Sequence, residues 1–574
     1  MKKKLALLLT AALVIGTLGA CGSSSTSTSN STGGSDSAQS TEAGGDTDTA
    51  STSTVSNEGE FADDGTPIIS FFDKNSGTRT FDDPVALELM KRTGVTIDLI
   101  SPTGDPAEKL SLMLAGQDYP DIVLMDRGSD IVNQYIEAGA LVDLSQYWDK
   151  LPNVVEMYGD TLNKTRYTDG KNYYLSNWYG YDPDPSNGFI MRYDIMIELV
   201  GQERADSDEP FTFSEMVDIL KQFKEKYPEL NGQESIALTT GEPSTNDSLN
   251  GVFSGMYGMK TYYVDENGDL HYKVSHPDYL NAIHDMNTLY REGLLDKEWT
   301  SNNEELRNQK LSQGNVFGYL GSYWDPDAAS AALMQTSGND NAEFLAYKVI
   351  PDGSDPDATT LCGRSSLGWD AIAITTNCKN LEAALAFVDY CASQEGQDLL
   401  LWGIEGQDWE FVDGVRTPIG DIIERYNADP TNVVNDTGIT KWTWFVRNAR
   451  HSDDDTASRI FWNQTDRSTE FAYKNLTNTY WDTAEFDNLV PAGNSPDALK
   501  AQKIQDIINQ AYPNMVNAAT VEECDAVYEQ MMSDLEAAGM ADVEAVITES
   551  YKERMELWSS SETTETAETT ESAE

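Results

Sequence analysis

The sequence predicts an α/β fold divided into two lobes, and three observations predict it. Strand-like and helix-like signals alternate through the first third of the body and again near residue 370. The body, residues 66–558, is roughly 490 residues long, too long for one ordinary domain. Beyond the first 20 residues, no apolar run approaches the length needed to cross a bilayer.

The elements follow in order. Pro67–Phe72 reads as a short apolar strand, with Asp73–Gly77 as the loop after it. Asp83-Pro84 opens a helix as an N-cap followed by proline at the first helical position, and Gly94 closes it. Val95–Ile100 is the next strand. Asp105-Pro106 repeats the start signal for a helix with Leu110, Met113 and Leu114 buried, stopped by Gly116. Ile122–Met125 is a third strand, followed by a helix from Ser129 to Ala138. This alternation predicts a parallel sheet with right-handed crossovers.

The middle is more helical. Thr212 and Glu215 form a capping box for a helix that ends at Tyr227-Pro228, and Pro277–Glu292 is another helix. Val316–Leu320 is a strand, Ala371–Ile374 and Leu381–Ser393 a further strand and helix, and residues 496–558 are helices. Asp265–His271 carries alternating oxygen ligands like a calcium loop but lacks a glutamate at the twelfth position. Asn267-Gly268 makes an ordinary hairpin turn the better reading, and calcium there stays open.

The N-terminus has its own logic. Lys2, Lys3 and Lys4 precede an apolar run from Leu5 to Leu18, which is the layout of a secretory signal peptide over residues 1–20. Leu18-Gly19-Ala20-Cys21 resembles the bacterial lipobox, which implies lipidation of Cys21 and cleavage just before it. Two or more acyl chains make a stable anchor. Residues 21–65 are rich in Ser, Thr and Gly and cannot bury enough apolar surface to fold, so they read as a flexible tether with a reach of roughly 35–40 Å. Residues 559–574 read as a disordered acidic tail.

Charge and chemistry exclude much. A net charge of -57 argues against nucleic acid as a partner. Cys362, Cys378, Cys391 and Cys524 match no zinc spacing; Cys391 falls on the apolar side of a helix, and a disulfide among the four stays open. His271, His276, His284 and His451 form no ligand cluster. Esterase, Walker and dinucleotide-binding motifs are lacking, as is the zinc-protease motif, so the expectation is no catalysis, no cofactor and no resident metal.

Six stretches resemble the extracellular solute-binding proteins of ABC importers, family-1 type. They are Leu112–Val123 (LMLAGQDYPDIV), Asp169–Leu175 (DGKNYYL), Phe189–Asp194 (FIMRYD), Leu289–Asp296 (LYREGLLD), Gly314–Gly321 (GNVFGYLG) and Gly403–Gly406 (GIEG). The resemblance implies a periplasmic-binding-protein-like (type II) fold, with hinge-crossing strands and a ligand cleft between lobes. Lobe one would take residues 66–180 plus 345–400, and lobe two residues 190–340 plus 405–558. It also implies a lipid-anchored monomer at the extracellular face of the cell membrane, which hands a small polar solute to permease subunits.

In such sheets ligands bind outside the carboxyl ends of the strands. Candidate ligand residues are therefore those at strand ends and crossovers: Asp73, Asn75, Asp126, Arg127, Trp178, Tyr179, Arg192, Tyr323, Trp324, Trp369, Asp370, Trp402, Glu405 and Trp409, with Trp442 and Trp444 beyond. Aromatic faces with carboxylates, amides and guanidinium groups suit a sugar, whose C–H face packs on a ring and whose hydroxyls need paired donors and acceptors. An oligosaccharide is the favoured solute. A lipid-anchored polysaccharide-active enzyme and a surface adhesin or sensor accessory are the other readings.

Overall fold

The alternating apolar segments do become sheets. The structure, a computed structural model, describes residues 59–177, 185–241, 248–442, 444, 467–491 and 495–559. Among these, nine strands build the two large sheets: β1 (Ile68–Asp73), β2 (Thr96–Ile100), β3 (Ile122–Asp126), β4 (Leu175–Ser176), β5 (Asn187–Arg192), β6 (Ile236–Thr240), β7 (Val316–Ser322), β8 (Phe344–Tyr347) and β9 (Asp370–Ile374). The first sheet has the order β2-β1-β3-β9-β4 and the second β8-β5-β7-β6.

The first lobe is a helix–sheet–helix sandwich. Ile69, Phe71, Leu124 and Ile372 meet the helices Pro84–Thr93 and Leu381–Ala392 on one face. Phe72, Val123, Met125, Ala371 and Ala373 meet the helices Pro106–Gly116 and Asp130–Glu137 on the other. Successive residues of a strand point to opposite faces, so a strand covered on both sides is apolar throughout. The predicted caps form: Asp83 accepts the Ala86 amide at 2.8 Å, and Gly94 closes its helix at φ 66°. Thr212 and Glu215 make the reciprocal capping box.

The second sheet carries a larger core. Phe189, Ile190, Leu238, Phe317 and Leu320 pack with the helices Phe213–Lys226 and Tyr279–Arg291 and with three C-terminal helices, Pro496–Val516, Val521–Ala538 and Met540–Ser559. The described segments change sheet or core three times in chain order: from β4 to β5, from β8 to β9, and from Trp444 to the helix Arg467–Asn475.

Four expectations are corrected. The sheets are mixed, because β9 runs antiparallel to β3 and β4, and β5 antiparallel to β7 and β8. A strand entered from the other lobe starts at the crossing end and must run back from it. Residues 344–350 belong to the second lobe, since β8 pairs with β5 and Val349-Ile350 with Phe211-Thr212. Residues 405–444 belong to the first, where Ile422, Val433, Ile439, Trp442 and Trp444 join its core. The folded body begins before residue 66: the Ile68 amide donates to Glu60 O at 2.9 Å, and Phe61 bridges to Pro67.

Tyr262–Val264 and Leu270–Tyr272 form a hairpin in which Asp265 Oδ1 accepts the amides of Asn267 (2.9 Å) and Asp269 (2.8 Å). Cys391 is buried in the first lobe, and all four described cysteines are free thiols. The signal peptide, Cys21, most of the tether and the tail beyond Ser559 lie outside the described residues.

One partly buried acid in the second lobe gives a pH prediction. Asp285 accepts the Tyr257 hydroxyl at 2.8 Å, and burial pushes its carboxyl up to about 6 from 3.8. Its folded pKa exceeds its unfolded one, so the folded state holds the proton more tightly and stability is lost as pH rises from about 4 to 6. Asp285→Asn should raise stability at pH 7 by about 2 kcal/mol or less and flatten that slope. Melting temperatures of both proteins between pH 4 and 7.5 check this; parallel curves would refute it.

Candidate functional site

Both sheets turn the carboxyl ends of their parallel strands toward the segments that link the lobes. In the first sheet those ends are Asp73 and Asp126. Asp370 stands beside them, because antiparallel β9 begins where β3 finishes and Asp370 pairs with Asp126. In the second sheet β7 ends at Ser322, opposite Asn187, and Ser322 Oγ donates to Asn187 Oδ1 over 2.9 Å.

Two of the three acids are built into the floor. Asp73 is buried; its Oδ2 accepts Trp444 Nε1 at 2.9 Å and its Oδ1 the Asn75 amide at 2.8 Å. Burial pushes its carboxyl above the usual range, and the Trp444 bond opposes that. Asp370 Oδ1 pairs with Lys74 Nζ at 2.7 Å, while Oδ2 accepts Asn177 Nδ2 (2.9 Å) and Asn75 Nδ2 (3.2 Å). Burial raises this carboxyl too, against the pull of Lys74. Asp126 differs: it is exposed, and among the described residues its Oδ1 accepts only the Gly128 amide, at 3.1 Å.

Next to Asp126 opens a cleft of about 280 Å³, lined by Asp126, Arg127, Arg364, Ser365, Trp369 and Thr483 among others. Arg127 is buried and forms its wall. Its Nε and Nη2 donate to Gly368 O at 2.9 and 2.8 Å, Nη2 also to Ser365 Oγ at 2.8 Å, and Nη2 pairs with Asp487 of the second lobe at 2.8 Å. Gly368 also lets Asn177 approach closely: its φ is +63°, and a Cβ there would stand 1.8 Å from Asn177 O.

Trp369 lines the space, and Trp324 lies beside its wall residue Arg364. Trp369 is 45% and Trp324 38% exposed, while Trp299, Trp402, Trp409, Trp442 and Trp444 are buried. The Arg364 guanidinium, itself in the cleft wall, lies 5.7 Å from the centre of the Trp324 ring. Buried Tyr323 packs edge-on against that ring at 4.9 Å and holds it in place. Trp324 follows β7 of the second lobe, and Trp369 precedes β9 of the first, so one aromatic platform comes from each side.

The other expected ligand residues lie elsewhere. Arg192 ends β5, which is antiparallel, so it sits at the far end of its sheet, paired with Asp194 at 2.7 Å. Trp402 and Trp409 pack against each other at 5.9 Å in the first lobe, with Trp409 Nε1 donating to Gly403 O; neither offers a face to the cleft. Glu405 is exposed in the turn bridged to Trp409. Trp442 and Trp444 are buried, hydrogen-bonded to Asp83 and Asp73. Trp178 and Tyr179 lie outside the described residues.

Sequence reasoning missed Lys74, Asn177 and Arg364. Lys74 and Asn177 are ordinary loop residues until the fold brings residue 370 beside them. Arg364 ends a strand of only three residues, Cys362–Arg364, too short to carry a periodic signal. A roomier hollow of about 450 Å³, lined by Glu198, Leu199, Gln222, Glu225 and Lys226, has no aromatic ring and lies between two helices, away from the strand ends.

Comparisons with known proteins agree on the architecture. A family model described as bacterial extracellular solute-binding protein matches residues 74–398. The lipoprotein LipO of Bacillus subtilis is 23% identical over 394 residues, covering 67% of this chain and 75% of its own. The fructooligosaccharide ABC transporter substrate-binding protein FusA of Streptococcus pneumoniae is 25% identical over 340 residues, 56% of this chain and 59% of its own. Among solved structures, a solute-binding protein of Bifidobacterium longum infantis described as binding HMO superimposes with a TM-score of 0.64. It has 17% identity and covers 85% of this chain and 99% of that one.

Proposed function

Because the chain belongs to the bacterial extracellular solute-binding protein family, we propose that it captures an oligosaccharide between its lobes and delivers it to the permease of an ABC importer, while a lipid on Cys21 holds it at the outer face of the cell membrane. The observation that carries the sugar reading is the pair of exposed rings, Trp369 lining the cleft from the first lobe and Trp324 of the second lobe lying against its wall residue Arg364, with the exposed carboxylate of Asp126 at the cleft edge. Fructooligosaccharide, in the name of one relative, is consistent with that class of solute.

The geometry supports capture by closure. A sugar ring laid on one tryptophan buries its C–H face, and the second tryptophan covers the opposite face only when the lobes approach. The ligand then contacts both lobes, and its binding energy favours the closed arrangement over the open one. Hydroxyls within reach of Asp126 and Arg364 gain charge-assisted hydrogen bonds, each about 1.5–3 kcal/mol. No bond in the solute has to break.

A thermal-shift screen of the full-length chain against mono- and oligosaccharides, peptides and other polar metabolites tests this. A ligand at a hundred times its Kd adds about 2.7 kcal/mol of stability. A melting shift with oligosaccharides, without turnover of the sugar, is expected. Shifts with peptides alone would remove the carbohydrate reading, and released product would point to an enzyme.

A further inference from the structure

We propose that the cleft selects uncharged oligosaccharides over uronate-bearing ones, and that Asp126 is the residue that rejects the anion; this rests on the oligosaccharide reading above. The basis is which charges around the cleft are already matched. Lys74 Nζ is held by Asp370 at 2.7 Å, and Arg127 Nη2 by Asp487 at 2.8 Å, with its Nε and Nη2 donating to Gly368 O and Nη2 to Ser365 Oγ. On the second lobe, Arg307 faces Asp325 at 3.5 Å and the Tyr319 hydroxyl at 3.3 Å. Lys164 at the crossing is paired with Asp482 at 2.8 Å. Arg364 lies over the Trp324 ring, where a stacked sugar and the guanidinium share one platform.

The carboxylates are not matched in the same way. Asp126 is exposed at the end of β3, and among the described residues its Oδ2 has no hydrogen-bond donor, its Oδ1 taking only the Gly128 amide. The next acid along, Asp370, already carries the Lys74 charge. An approaching hydroxyl therefore finds an open acceptor in Asp126, whereas an approaching carboxylate finds a like charge there, with Lys74, Arg127 and Lys164 already held by Asp370, Asp487 and Asp482. Like-charge juxtaposition in a recessed interface is strongly discriminating. Its consequence here is a preference of about a hundredfold for the neutral sugar.

The test uses the full-length chain and matched pairs of tetrasaccharides: galactose against galacturonate, and mannose against mannuronate, alongside glucose and fructose oligomers. Affinities are read by calorimetry at low and high salt, for the natural chain and for Asp126→Asn. The expected result is binding of a neutral oligomer and about a hundredfold weaker binding of its uronate partner, the gap falling to about tenfold or less in Asp126→Asn. A uronate that binds the natural chain within tenfold of its neutral partner overturns the inference and leaves the oligosaccharide reading standing. An unchanged gap in Asp126→Asn overturns the assignment to that residue. Binding of a peptide or other solute with no glycan binding at all removes the oligosaccharide reading, and this inference with it.

Discussion

Trp369→Ala weakens the affinity for the bound oligosaccharide by about 10- to 100-fold, and Trp324→Ala by a similar factor, if the two rings are the platforms argued above. Covering a large aromatic face with ligand is worth roughly 1.5–3 kcal/mol, and each 1.4 kcal/mol is a factor of ten. The fold itself should hardly notice. Both side chains keep 38–45% of their surface in water, so truncation leaves no cavity, and the unfolding free energy should move by only about 0.5 kcal/mol. Phe at either position keeps the apolar face and should recover most of the affinity. The double variant falls by less than the product of the single losses if one ring must be placed before the other can close on it, because either single change already removes the cooperation between them. Calorimetric titration with a stabilising sugar, beside urea unfolding of the free protein, separates the two effects. A Trp369→Ala protein that binds with unchanged affinity would move the site away from this cleft.

The elements that specified themselves in sequence are the ones with local causes. The Asp83-Pro84 and Asp105-Pro106 helix starts, the Gly94 stop and the Thr212–Glu215 box each work within one turn of chain, and all form. The strands β1 and β3 were legible because burial on two faces demands an unbroken apolar run. Direction and partnership were not legible. Whether β9 runs parallel or antiparallel depends on which end of the sheet the chain re-enters, and that is decided by the crossing from the other lobe. The same blindness explains the misplaced ligand residues. Arg192 follows an apolar strand as convincingly as Asp126 does, but β5 runs the other way, so its carboxyl end points away from the cleft. Trp402 and Trp409 lie close to a stretch resembling other solute-binding proteins, yet they hold together a small substructure of the first lobe. Asp73, Asn75, Asp126, Arg127, Trp324, Trp369 and Asp370 could be placed at the carboxyl ends of strands or beside them from sequence, because that placement is a property of the fold class and not of any one motif.

Arg127→Met is expected to cost about 3 kcal/mol of stability, the largest effect of a single substitution near the cleft. Removing one partner of a buried charge pair typically costs 3–5 kcal/mol, because the other charge is left without compensation. The lower figure applies here, since Asp487 remains 27% exposed and still accepts Ser365 Oγ at 3.2 Å. What is lost is more than a pair. Arg127 ties Gly368 and Ser365, which carry the Trp369 platform, to a segment of the second lobe. That segment is itself anchored: Asn488 Nδ2 donates to Arg127 O at 3.0 Å, Asp482 accepts Ser366 Oγ at 2.7 Å, and the C-terminal helix supplies Arg554, whose guanidinium donates to the carbonyls of Ala484, Glu485 and Asp487. Arg166 of the first lobe reaches the same helix at Leu557 O. The cleft wall therefore depends on contacts far along the chain, and Arg127→Met should lower both the urea midpoint and the sugar affinity, where Trp369→Ala lowers only the affinity. Arg127→Lys keeps the charge but loses the two-pronged contact, so it should fall between. Adding Asp487→Leu to Arg127→Met removes the stranded charge and should restore part of the midpoint, since the penalty came from imbalance and not from lost packing. A midpoint unchanged in Arg127→Met would show that the Arg127–Asp487 pair adds nothing measurable to the contacts that hold the two lobes at this crossing.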